Sequence, residues 1–182
     1  MKTAVRIQAL LFGLLLSVSA LAQTTTQEKL DRNAQAALDA LYVSSPGAKA
    51  LAEQAKAVLV FPDVKKAAFI VGVQSGEGVL IKGGKVAGHY SIGGVQGGLE
   101  AGAASYNYAL FFMSDAALQG LLDRRDGFDI GFDPNIVLVN VGASKQATAA
   151  TAQADVYGYV FGEQGLIGGV SLQGVKITRL DR

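Results

Sequence analysis

The chain contains no cysteine. Disulfides, thiol catalysis and a cysteine-ligated zinc are therefore excluded. Histidine occurs once, at His89, so a histidine-based catalytic pair or triad would depend on that residue alone. No serine sits in a G-x-S-x-G turn of the kind that presents a hydrolase nucleophile. His89 reads as a surface or capping residue of a strand. Glycine is plentiful, but no G-x-x-x-x-G-K-[ST] loop occurs, and Gly93 to Gly98 does not form G-x-G-x-x-G between a strand and a helix. Asp126, Asp129 and Asp133 lack the spacing of an EF-hand, and no bidentate glutamate follows them, so no metal or cofactor is expected. A strongly basic balance is missing too: 16 Lys and Arg stand against 15 Asp and Glu, which argues against a nucleic-acid partner.

Long apolar runs are confined to the start. Met1 to Ala22 carries Lys2 and Arg6, then ALLFGLLLSVSA, then the small-residue sequence Ala20-Leu21-Ala22. That pattern predicts a secretory signal with an A-x-A cleavage site over 1–22. Its apolar part is about a dozen residues, short of the roughly 20 that span a bilayer. No cysteine follows it to carry a lipid anchor. Cleavage would leave residues 23–182 as one domain and take Lys2 and Arg6 with it, moving the formal charge from +1 to −1. The expected localisation is periplasmic or secreted.

After the threonines at 24–26, Leu30, Ala34, Ala37, Leu38 and Leu41 recur at helical spacing, opposite Glu28, Asp31, Gln35 and Asp39. Ser45 and Pro46 then supply an N-cap and a first helical position for a second helix that stops near Lys56. Ala57 to Pro62 is a short apolar strand. Ala67 to Gln74 is apolar on both parities and is expected to be covered on both sides. Gln74 to Gly78 reads as a turn, as does Gly83-Gly84. Between Lys85 and Ile92, Val86, Gly88, Tyr90 and Ile92 share one face and Lys85, His89 and Ser91 the other. Farther on, Tyr106, Tyr108, Leu110 and Phe112 alternate with Asn107, Ala109, Phe111 and Met113. Ser114 caps a short helix.

Phe128 to Phe132 and Asn135 to Val141 read as strands, and 145–154 as a loop or an exposed strand. Val156 to Phe161 is a strand with a turn at 162–165. A parity change at Gln173-Gly174 predicts a bulge in the last strand. The sum is an α+β, β-rich fold: an antiparallel barrel or sandwich of eight to ten strands, with two N-terminal helices and one short mid-chain helix. Glycine at such density between alternating apolar residues points to a strongly curved sheet.

Lys65, Lys66, Lys82 and Lys85 lie near predicted turns that a meander would bring to one rim. At about 1 kcal/mol per lysine near an anionic surface, four give about 4 kcal/mol, roughly millimolar attraction. Charge at that level needs help from apolar insertion, an internal acyl pocket or several copies. These lysines equally suit a purely solubilising role at turns.

The stretches AKAVLVFPDVKKAAFIVGVQSGEGVLI, HYSIGGVQGGLEAGAASYNYALFFMSDAALQGLL and ADVYGYVFGEQGLIGGVSLQGVKI together resemble the SYLF domain family of lipid-binding proteins, some of whose eukaryotic members also bind actin. The resemblance runs from about Leu51 to Ile177 and implies a β-rich, non-enzymatic lipid-binding domain. It also implies a headgroup role for Lys65 and Lys66, which match the family's V-x-K-A region at Val64 to Ala67. Glu100 departs from the family's usual glutamine, and Lys85 and Gly88 stand near where an aromatic and a proline are common. The expected partner is anionic lipid or an amphipathic molecule. The alternative is an envelope interaction module that presents Tyr106, Tyr108, Tyr157 and Tyr159 to a protein.

Overall fold

The computed structural model describes residues 26–124, 127–129, 136–141, 154–165 and 174–181. It is strand-rich, with three helices and a curled mixed sheet that forms a half-barrel. Helix α1 covers 26–44 and α2 runs Pro46–Gln54. Two long strands, β1 (Ala57–Lys82) and β2 (Lys85–Phe112), make one antiparallel hairpin, followed by helix α3 (Asp115–Asp123). The shorter strands are β3 (Phe128–Asp129), β4 (Ile136–Asn140), β5 (Val156–Gly165) and β6 (Val175–Leu180).

Strand β2 is long enough to hold two partners on one edge. Its end at 104–112 pairs with β5, and its start at 89–94 pairs with β6. β3 adds to β6 antiparallel, whereas β4 adds to β5 in parallel. β1 takes the opposite edge of β2 along its length. The sheet is thus mixed, and six strands are described instead of eight to ten. Inside the hairpin the expected break at Pro62-Asp63 is a bulge, and the one at Gln74 to Gly78 is continuous strand.

At Pro62-Asp63 the register slips between Phe61 and Val64. Asp63 takes φ 61°, the one positive φ outside glycine among the described residues, and its N–H donates to Asn107 Oδ1 at 3.0 Å. Aspartate tolerates this left-handed conformation better than most residues. Around Ala87 a second slip takes Val86 off the face on which Tyr90 and Ile92 are buried, leaving Val86 48% exposed. The predicted turn at Gln74 to Gly78 is strand. Its glycines serve close packing: a Cβ on Gly78 would stand 2.4 Å from the Phe61 ring and 2.6 Å from the Val60 carbonyl oxygen. β1 therefore curls until its second half lies against its first.

Two apolar clusters fill the two sides of this curl. The inner one joins Leu59, Phe61, Val64, Leu80, Tyr90, Ile92, Tyr106, Tyr108, Leu110 and Phe112 to α3 and to β3, β5 and β6. The outer one packs Ala34, Leu38 and Leu41 of α1 on Val58, Val60, Val79, Ala109, Phe111 and Tyr159. The even and odd residues of 106–112 separate between these clusters, as alternation requires. Ser45 Oγ accepts from the Ala48 N–H and Ser114 Oγ from the Ala117 N–H, so α2 and α3 begin at side-chain caps.

The segment Ala67–Gln74 departs from expectation. Its even side is inside the curl, with Gly72 and Gln74 buried. Val71 and Val73 on the odd side are about half exposed, because α1 and α2 cover the sheet only nearer its other end. The segments at 1–22, 130–135 and 145–153 lie outside the described residues, as does Gln173 of the predicted bulge.

Candidate functional site

The four lysines fall in two places. Lys82 and Lys85 are paired directly across the hairpin tip, joined by Gly83 (φ 57°) and Gly84 (φ 74°). Two successive left-handed residues make the two-residue turn whose twist suits a hairpin. A Cβ on either glycine would meet nothing within 4 Å, so the tip stands clear of the fold. Both lysines are exposed, and among the described residues neither meets an acidic side chain. Like charges directly opposed across strands are unfavourable. Val86 extends the tip with exposed apolar surface.

Lys65 and Lys66 lie inside β1, far from the tip. Lys65 is exposed on the outward side and is ion-paired with Asp63. Lys66 points into the curl and is 3% exposed. The curl brings residue 76 beside Val64, yet six residues of strand, about 20 Å, still separate 76 from 82. No single rim gathers all four lysines, because the meander that would have joined them is one continuous strand. Lys66 is also removed from any surface that meets a headgroup.

The interior of the curl is polar at one point. The Tyr106 hydroxyl donates to Gln74 Oε1 at 2.6 Å, and both groups are buried. Burial, with a smaller push from Glu163, raises the Tyr106 hydroxyl well above the ordinary tyrosine range, and burial raises Tyr108 likewise. The hydroxyls of Tyr90, Tyr108 and Tyr159 are buried without a hydrogen-bond partner among the described residues. Tyr106, Tyr108, Tyr157 and Tyr159 are each at most 5% exposed. They are core residues and cannot form the aromatic docking face expected from their alternation. Tyr159 meets Phe111 edge-on at 5.4 Å.

His89 is a tie between elements. Its Nε2 lies 2.9 Å from Asp31 Oδ1, linking β2 to α1 across 58 residues of sequence. Among the described residues no three His, Cys, Asp or Glu side chains come together as metal ligands. Asp126 and Asp133 lie outside those residues, and Asp129 sits in β3.

Residues 93–181 match the family model described as "Ysc84: Las17-binding protein actin regulator". Over these residues the chain is similar to the Ysc84 (SYLF) domain family. The family is one of binding domains, associated with lipid binding and actin regulation. The matched SYLF segment begins inside β2 and takes in α3 and all the shorter strands. α1, α2, β1 and the lysine-bearing tip precede it. No curated protein matches the chain.

Sequence reasoning singled out Lys82 and Lys85 by residue type and missed what surrounds them. Exposure of Val86 depends on a bulge, and that of Val71, Val73 and Val95 depends on where α1 stops covering the sheet. Neither has a local signature. Asn107, which holds the Asp63 bulge, was legible only as a polar residue between tyrosines.

Proposed function

We propose that this protein is a non-enzymatic, periplasmic or secreted binding domain of the bacterial envelope, processed after Ala22 so that residues 23–182 act as one unit. Its ligand is an anionic phospholipid surface or an anionic amphiphile. The observation that carries this reading is the hairpin tip: two exposed lysines held opposite each other, with no acid beside them among the described residues and Val86 adjacent. Such an arrangement is unfavourable in isolation and is relieved by an anion with more than one negative oxygen. The family's association with lipid binding supports it.

Magnitudes set the role of each part. Two lysines near an anionic surface contribute about 2 kcal/mol, or roughly thirtyfold enrichment. Burying Val86 adds at most about 1.5 kcal/mol, since it begins half covered. The tip therefore recruits weakly, and firm attachment needs more than one tip. Lys65 contributes less than a tip lysine because Asp63 already neutralises it.

Vesicle flotation tests the reading. Wild type should float with vesicles containing phosphatidylglycerol and stay behind with pure phosphatidylcholine. Lys82→Glu with Lys85→Glu should abolish flotation while the circular dichroism spectrum is unchanged. Equal flotation with both vesicle types, or none with either, would reject electrostatic recruitment. Mass spectrometry of the exported protein tests processing after Ala22.

A further inference from the structure

Both tip lysines stand on the inner side of the sheet. Leu80 belongs to the inner cluster and Ile81 packs on the outer one, so Lys82 falls on the inner side, and Lys85 with it as its cross-strand partner. Plain alternation back from Tyr90 would put Lys85 on the opposite side; the slip around Ala87 reverses it. Strand β6 brings a third cation to the same side. Val175 and Ile177 are in the inner cluster, and Arg179, next on that side, is exposed and paired directly with Tyr90.

Tyr90 lies between these cations. It is 1% exposed, and its hydroxyl is buried with no hydrogen-bond partner among the described residues. A Cβ on Gly88 would lie 3.4 Å from Tyr90 Cε2 and 4.0 Å from its hydroxyl oxygen, so the far edge of the ring extends over Gly88 toward the tip. Having no side chain, Gly88 puts nothing of its own between the hydroxyl and the lysines. Burial raises the Tyr90 hydroxyl and the Arg179 charge offsets part of that rise, so the guanidinium acts on this oxygen. Buried polar groups are nearly always bonded, and one that is not calls for an explanation.

We propose that the inner side of the tip is a phosphate monoester site, in which Lys82, Lys85 and Arg179 hold the anion and the Tyr90 hydroxyl donates to one of its oxygens. The site rests on the lipid reading of the tip and narrows it. Four residues of β1, about 13 Å, separate Lys82 from Gly78, the partner of Tyr90. Long lysine and arginine side chains close that span from its two ends. Arg179, exposed opposite Tyr90, uncovers the hydroxyl as it turns toward the anion. Asp181, just past the end of β6, brings the local count to three cations against one acid, a net +2. A phosphate monoester carries about −1.5 to −2 at neutral pH on three acceptor oxygens, more than a diester such as phosphatidylglycerol.

Flotation with phosphatidylcholine vesicles carrying equal fractions of phosphatidic acid or phosphatidylglycerol separates this site from tip charge alone. Wild type should bind the phosphatidic acid vesicles about fivefold more tightly, as one further charge predicts. Tyr90→Phe should lower that affinity about tenfold, with a thermal midpoint unchanged or higher, since an unpaired buried hydroxyl is removed. Arg179→Gln should lower it about fivefold. Equal affinity for the two vesicles, or wild-type binding by Tyr90→Phe, would overturn the site; flotation that still depended on Lys82 and Lys85 would leave the tip reading standing. A lower midpoint in Tyr90→Phe would mean that the hydroxyl is bonded within the chain, and would also overturn it. Inorganic phosphate separates the headgroup from the membrane. A midpoint raised by millimolar phosphate in wild type and not in Tyr90→Phe, without flotation, would keep this site and remove the lipid reading. Neither flotation nor a phosphate shift would overturn both.

Discussion

Two regions of the long hairpin share the same pairing partner and differ in what covers them. At 57–61 with 108–112 both sides of the sheet are buried, the inner cluster on one side and α1 with α2 on the other. At 71–75 with 93–95 only the inner side is covered, and three valines face outward. Both regions carry valines, but the first is aromatic, with Phe61, Tyr108, Phe111 and Phe112, and the second is glycine-rich, with Gly72, Gly93 and Gly94. The boundary is set by how far α1 reaches: its buried leucines and alanines end at Leu41, and its tie to the hairpin is Asp31 with His89. One region is thus invested in stability and the other is left for contact with something else.

The contrast breaks most visibly on side-chain truncation. Phe111 is fully buried against Tyr159, and Phe111→Ala should cost about 3–5 kcal/mol in urea denaturation. Val73→Ala, half exposed to begin with, should change monomer stability by no more than about 0.5 kcal/mol. Similar losses at the two sites would mean that the outward side at Val73 is covered within the monomer.

Alkaline pH attacks the covered side from within. Tyr106 and Tyr108 have hydroxyls raised by burial above the usual 10. Above that value the unfolded chain gives up phenolic protons that the fold retains, so stability is whole below pH 10 and falls as pH rises. These two groups amount to a loss of about 3 kcal/mol at pH 11, and Tyr42, Tyr90 and Tyr159, also raised by burial, add to it. Tyr106→Phe should remove about 1.4 kcal/mol of the fall at pH 11; an unchanged slope would place the tyrosine ionisation elsewhere.

The region where the curl closes on itself should respond less. Gly78→Ala forces a methyl group into the Phe61 ring and the Val60 carbonyl, at an expected cost of about 1–3 kcal/mol. Gly83→Ala meets no neighbour and pays only for its positive φ. These two glycines also show what the sequence made legible. Gly83-Gly84 reads as a turn because its partners, Lys82 and Lys85, adjoin it. Gly76 and Gly78 read as a turn for the same local reason, yet their constraint comes from Val64 and Phe61, twelve and seventeen residues away. The helices and their caps at Ser45 and Ser114 were readable because each is completed within a few residues. So was the division of Tyr106 to Phe112 between two sides. The parallel pairing of β4 with β5 was not, since nothing local separates a parallel strand from an antiparallel one. For the site, residue type identified the lysines; their separation depended on whether β1 turned or continued.

The smallest effect is the most discriminating. Lys82→Glu replaces two opposed positive charges at the tip with an opposed pair of unlike sign, which should stabilise the hairpin by at most about 1 kcal/mol. The same change removes one lysine and adds a carboxylate where an anionic surface would approach, so flotation with phosphatidylglycerol vesicles should fall. Stability and binding then move in opposite directions, which distinguishes a contact site from a structural one. If the lysines merely keep the turn soluble, the stability gain remains and binding does not change. If the variant loses both, the tip is packed against the fold in a way that its clear surroundings exclude. On the reading proposed above, these opposed like charges, which meet no acid among the described residues, are the feature that a negative partner outside the chain would use.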